Sequence, residues 1–196
     1  TFHKLASDVD LVPVYRQLTS DTLTPVQAYA KLKGESSFLF ESVVGGERVG
    51  RYSFLGDNPF LKIEAFANNV VVTEGADVRE YSADDPLKEL ETLLERYRAV
   101  HLAELPRFCG GAVGYAGYDV IRYSENLPNA PEDDRNVPDM SFAFFDRMVI
   151  FDHIRKTIML VCHADANAEN LQTEYDRATS RVDELCRQLQ ETPSEI

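Results

Sequence analysis

Glu41 and Ser42 close one short apolar run, FLFES, and Arg51, Tyr52 and Ser53 open the next, RYSFLG, with Gly45-Gly46 between them. Paired as a hairpin, the two runs bring a carboxylate, hydroxyls and a guanidinium to one partly buried place. Such a set suits an α-amino acid. Glu41 would meet the ammonium through a charge-assisted hydrogen bond, and a hydroxyl or guanidinium would meet the carboxylate. Phe38, Phe40, Tyr52 and Phe54 would line an apolar wall. A plainer reading stands beside it, in which Glu41 and Arg51 form an ordinary cross-strand salt bridge.

No other stretch offers chemistry as well placed. His3, His101, His153 and His163 are scattered, and none has a second histidine three or four residues on, so a helical zinc site is not expected. His163 follows Cys162, but neighbouring strand residues face opposite ways, which argues against a dyad. A GxSxG elbow is missing. The glycines of FCGGAVGYAGYD match neither phosphate-loop pattern, and no lysine follows to reach a phosphate. They read better as places where a strand packs closely on another backbone. The paired carboxylates Asp84-Asp85, Asp133-Asp134 and Asp183-Glu184 sit in polar settings that do not raise a pKa for acid catalysis. We therefore expect neither a catalytic nor a metal-ligating residue.

The elements that would position the hairpin are partly legible. Residues 1–20, with Pro13, read as an extended arm. Thr24 and Pro25 open a short helix over 24–33 that Gly34 would stop. Residues 60–66 alternate like a strand with one wet face, Asn68-Asn69 reads as a two-residue turn, and VVVTEG and Val78–Tyr81 follow as strands. Asp85 caps a helix whose inner face would be Leu87, Leu90, Leu94 and Tyr97. Residues 124–138 form a long polar loop of the length that often serves function. SFAFFDRMVIFDH and TIMLVCHA then read as a hairpin of two long strands joined by His153–Lys156. From Asn167 to Gln190, Leu171, Tyr175, Ala178, Val182, Leu185 and Leu189 recur at helical steps, a seam to lay against a sheet. The class is α+β: an antiparallel sheet or sandwich covered by helices.

Composition narrows the setting. The chain has 196 residues, 44% hydrophobic and 10% aromatic, and its 33 acidic against 20 basic residues give a formal charge of −13. Nucleic acid and anionic membrane surfaces would repel it. Three widely spaced cysteines fit neither a disulfide framework nor a zinc site, and no apolar run approaches the ~20 residues of a membrane span. The first 15 residues lack an uninterrupted apolar core, so no secretory signal is expected, and a cytoplasmic home follows.

Five ordered blocks resemble the amino-terminal part of the anthranilate synthase component I family: VPVYRQLTSDTLTPVQAYAKL, FLFESVVGGERVGRYSFLG, GGAVGYAGYDVIRY, LPNAPEDD and VPDMSFAFFDRMVIFDHIRKTIMLV. The resemblance implies that part's fold and a place in tryptophan biosynthesis. There anthranilate is made from chorismate, with magnesium and with ammonia from a glutamine amidotransferase subunit. It implies tryptophan feedback through Ser42 and Glu41, with Arg51, Tyr52 and Ser53 as second candidates. The family usually has leucine at the place of Phe40 and commonly tryptophan at that of Val49, changes that reshape the pocket wall. Its chorismate- and magnesium-binding motifs lie in a carboxy-terminal portion. Residues 1–196 are accordingly expected to be a regulatory domain without active site or cofactor of its own. Two alternatives remain: the equivalent part of aminodeoxychorismate synthase component I, and a scaffold that docks a partner subunit and binds no small molecule.

Overall fold

The computed structural model describes residues 2–19, 22–32, 34, 36–41, 50–129 and 132–190. They form two antiparallel five-stranded sheets with helices, the α+β class expected. The chain divides into two compact units, one of residues 1–59, 97–111 and 145–196, the other of residues 60–96 and 112–144.

In the first unit, helix α1 (Phe2–Leu5) leads into strand β1 (Leu11–Thr19), and helix α2 (Pro25–Leu32) into β2 (Ser37–Glu41) and β3 (Tyr52–Asp57). In the second, β4 (Leu61–Phe66), β5 (Asn69–Glu74) and β6 (Asp77–Ser82) precede helix α3 (Pro86–Glu95), β7 (Gly111–Ala116), a 3-10 helix (Tyr118–Tyr123) and β8 (Met140–Phe145). The first unit resumes with β9 (Arg147–Asp152), β10 (Thr157–Asp165) and helix α4 (Leu171–Gln190).

The first sheet runs β1-β10-β9-β3-β2. The extended arm expected of this region is extended from Leu11 on, but as a sheet strand: β1 pairs with β10 over its whole length, from Leu11↔Asp165 to Thr19↔Thr157. Pro13 is tolerated because β1 is an edge strand, where a missing amide hydrogen breaks no second ladder. Both faces of the sheet's centre are buried, which is why β9 and β10 read as near-continuous apolar runs. Leu55, Val149, Phe151, Ile158, Leu160 and Cys162 pack under α2 and α4. Met148, Ile150, Met159 and Val161 pack with Leu105 and Cys109 on the other side.

Helix α2 carries a reciprocal capping box. The Gln27 amide donates to Thr24 Oγ1 at 3.2 Å, and the Thr24 amide donates to Gln27 Oε1 at 3.0 Å. Helix α4 starts four residues later than expected, because Asn170 Oδ1 accepts from the amides of Gln172 and Thr173 and fixes the first turn there. Its inner stripe is Ala178, Val182, Leu185 and Leu189, and full burial of each Val or Leu contributes about 1.5–3 kcal/mol. Arg181 adds a bidentate bond to Asp146, at 2.7 and 2.6 Å.

The second sheet runs β6-β5-β4-β8-β7. Strand β4 shows the expected alternation, with Leu61, Ile63 and Ala65 buried. The following turn is one residue earlier than read from sequence. Phe66 pairs with Asn69, so Ala67 and Asn68 make the turn. Ala67 holds a φ of 50°, stabilised by its amide donating to Asp139 Oδ2 at 2.7 Å. Asp85 caps α3 through the amides of Leu87 and Lys88. The buried stripe of α3 is Pro86, Leu90 and Leu93, rotated from the expected one: Leu87 and Leu94 are exposed, and Tyr97 lies beyond the helix end. The run SFAFFDRMVIFD is not one strand either. It breaks at Asp146, giving β8 to the second sheet and β9 to the first, and the expected hairpin is that of β9 with β10.

Candidate functional site

The expected hairpin of β2 and β3 is present, with Phe38↔Gly56, Phe40↔Phe54 and Glu41↔Ser53 as partners. Ser42 and the Gly45-Gly46 turn lie outside the described residues. Strand β3 also pairs with β9, so Glu41, Ser53 and Phe151 stand abreast on three neighbouring strands.

Strand alternation divides the candidates between two faces. Tyr52 and Phe54 share the face of Met148 and Ile150, together with Phe38. There Phe38, Phe40, Phe54, Phe108 and Phe145 form a chain of ring contacts 4.9–6.3 Å between centroids, and Phe40 is half exposed. Ser53 belongs to the opposite face, that of Leu55, with Glu41 directly across from it. The aromatic wall and the Glu41–Ser53 pair therefore do not share one side of the sheet.

Two of the polar candidates are already engaged. Arg51 reaches Asp152 with Nη2 2.7 Å from Oδ2, and with Nε 3.3 and 3.2 Å from the two oxygens. The cross-strand Glu41–Arg51 bridge is thus replaced by one to β9. The guanidinium also lies 4.8 Å above the Tyr52 ring. Asp152, only 2% exposed, accepts in addition from the amides of Ile154 and Arg155, which closes the β9–β10 turn. Burial pushes its carboxyl up, but the Arg51 bond and the turn amides outweigh that and hold it below the ordinary value. Ser53, 1% exposed, has Oγ 2.7 Å from His153 Nε2, and the His153 amide donates to the Arg51 carbonyl at 2.8 Å. Glu41 is exposed at the end of β2.

Asp152 and His153 escaped sequence reasoning. Their signal was faint: two polar residues ending the apolar run RMVIF just before a turn.

The glycine-rich stretch packs closely, as read from sequence. A Cβ on Gly114 would sit 1.9 Å from the Ser141 carbonyl oxygen, and one on Gly110 would sit 2.6 Å from His163 Cε1. Cys109, Cys162 and Cys186 are free thiols. Among the described residues no three His, Cys, Asp or Glu side chains gather as a metal would need, and no helix is long and apolar enough to cross a membrane.

A family model described as chorismate binding enzyme matches residues 35–196. The chain belongs to the chorismate binding enzyme family. It is 35% identical over 189 residues to anthranilate synthase component 1 of Acetivibrio thermocellus, covering 96% of this chain and 38% of that protein. It is 37% identical to the chloroplastic anthranilate synthase alpha subunit 2 of Arabidopsis thaliana, covering 97% of this chain and 33% of the relative. The crystal structure of anthranilate synthase component I from Streptococcus pneumoniae TIGR4 superposes with a TM-score of 0.58 at 28% identity, over 89% of this chain and 37% of that one. The chain thus spans between a third and two fifths of the length of these relatives.

Proposed function

We propose that this chain is the tryptophan-sensing portion of an anthranilate synthase component I. In this reading the full-length enzyme makes anthranilate from chorismate in tryptophan biosynthesis, with ammonia from a glutamine amidotransferase subunit. Glu41 and Ser42 receive the effector, Glu41 meeting its ammonium. Arg51, Tyr52 and Ser53, at the start of the neighbouring strand β3 and just before it, are the second candidates for contact with the effector. Chorismate turnover belongs to a portion of the full-length protein outside these residues. Magnesium, in the same reading, goes with that turnover. Tryptophan then regulates by binding one of two arrangements better than the other, the differential contact that allostery requires.

The observation that carries the reading is the hairpin. Its β2 ends on an exposed carboxylate, opposite a buried hydroxyl, in a chain similar along 96% of its length to an anthranilate synthase component 1. Calorimetric titration with L-tryptophan on the wild type and on Ser42→Phe tests it. Binding by the wild type that the bulky side chain abolishes is expected. A silent wild type overturns the effector reading, and unchanged binding by the variant removes Ser42 from the site.

A further inference from the structure

We infer that Asp152 and His153 are the positioning residues of this effector site, and that Arg51 serves to fix strand β3 instead of receiving the effector's carboxylate. The inference rests on the tryptophan-sensing reading above and goes beyond it by assigning Arg51 a different partner.

Three bonds converge at the start of β3, and all come from two consecutive residues at the end of β9. Asp152 accepts from Nε and Nη2 of the Arg51 guanidinium, the His153 amide donates to the Arg51 carbonyl, and the His153 ring is hydrogen-bonded to the Ser53 hydroxyl. Asp152 is itself fixed by the amides of Ile154 and Arg155, so the anchor is a closed turn and not a loose side chain. At the other end of the same strand pair, Asp57 is joined to Arg147. Strands β3 and β9 are therefore pinned at both ends by Arg–Asp pairs of opposite direction, with Tyr52↔Asp152 and Gly56↔Met148 in register between them.

That register sets where Glu41 stands, because among the described residues β2 is an edge strand paired with β3 alone. A slip of one residue in β3 would turn Ser53 to the aromatic face and move Glu41 away from it. The Arg51 guanidinium is held by the buried Asp152 carboxylate through Nε and Nη2 and lies over the Tyr52 ring. Drawing it to an effector would leave Asp152 buried and unpaired, which is costly.

Tryptophan affinity of the wild type, Asp152→Asn, Arg51→Gln and the double variant decides the matter. Asparagine keeps an oxygen for the two turn amides and removes the charge that holds Arg51. If Arg51 positions, each single change weakens binding roughly 2- to 30-fold, and the double variant is no worse than the weaker single. If Arg51 is a ligand, Asp152→Asn frees it and tightens binding, while Arg51→Gln weakens binding whatever stands at 152. That result overturns the inference and leaves the effector reading intact. A wild type that binds no tryptophan removes both. His153→Phe against His153→Gln asks the same of the second anchor, and also serves should Asp152→Asn fail to fold. Glutamine places a polar group near the Nε2 position and restores affinity that phenylalanine loses, at matched melting temperature. Equal affinity of the two overturns the role of His153.

Discussion

Replacing His163 with asparagine should flatten the acid side of the stability profile. His163 is 3% exposed on β10, and its Nδ1 donates to the Asp146 carbonyl at 3.2 Å. Burial lowers its pKa first of all, Asp146 works against that, and the Arg181 cation adds to the lowering. The folded ring therefore stays neutral at a pH where the unfolded ring, with an ordinary value of about 6.5, takes up a proton. Where the unfolded state binds more protons, stability rises with pH, so this contribution is complete above about pH 6.5 and is lost as pH falls below it. The slope is about 1.4 kcal/mol per pH unit while the folded ring remains neutral, so going from pH 6.5 to 5 removes at most about 2 kcal/mol. Asparagine cannot titrate, and its amide can occupy the Nδ1 position toward Asp146. The loss of the ring beside Gly110 costs about 1–3 kcal/mol at every pH, which cancels in the comparison. Asp10 and Asp152, both held below the ordinary carboxylate value, support the fold above about pH 4 and lose that effect only as pH falls through their folded values, outside this window. Urea denaturation of both proteins at pH 7.5, 6.5, 5.5 and 5.0 should show their stabilities converging by up to about 2 kcal/mol. Parallel profiles would refute the reasoning.

Two further outcomes are expected. Gly114→Ala places a methyl 1.9 Å from the Ser141 oxygen and 2.6 Å from Phe142 Cα, both backbone, so β8 itself must move; the urea midpoint should report a loss of about 3 kcal/mol, and a loss under about 1 would contradict the packing. With iodoacetamide at pH 7.5, peptide mapping should find half-buried Cys186 alkylated first. Burial raises Cys109 and pushes Cys162 up to about 11, so both should react only on unfolding.

What the sequence disclosed was local, and what it hid was not. The Thr24 cap of α2, the alternation of β4 and the stripe of α4 from Ala178 to Leu189 each arise within one element, so local patterns find them, although Tyr175 of the expected stripe is exposed. Strand β1 was hidden by Pro13, which excludes a central strand but not an edge. The break at Asp146 was hidden because apolar residues flank it on both sides, and apolar character does not tell which sheet a strand joins. At the site, the pairing of β2 with β3 was legible from the two short apolar runs. The partners of Arg51 and Ser53 were not, since they lie 101 and 100 residues further along the chain. A salt bridge to Glu41 was the natural guess from neighbours in sequence; the β3–β9 pairing overrides it.

The Arg–Asp pairs of the first unit bear on why such polar groups sit in a core at all. Asp57 and Arg147 have side chains only 6% and 12% exposed, and Asp152 is buried under a half-covered Arg51. Desolvating two charges offsets much of their attraction, so such pairs add little net stability over well-packed apolar residues. What they do add is a penalty against wrong arrangements. Strands β3 and β9 are largely apolar between their ends, and an apolar strand finds tolerable packing in several registers. With an arginine at the start of one strand and the start of its antiparallel neighbour, and an aspartate at the end of each, only one register pairs all four charges. Every slip leaves a buried carboxylate alone, at a cost of about 3–5 kcal/mol for each broken pair. The same bonds that fix the register also occupy Arg51, so precision in placing Glu41 and the removal of a free cation from the hairpin have one cause.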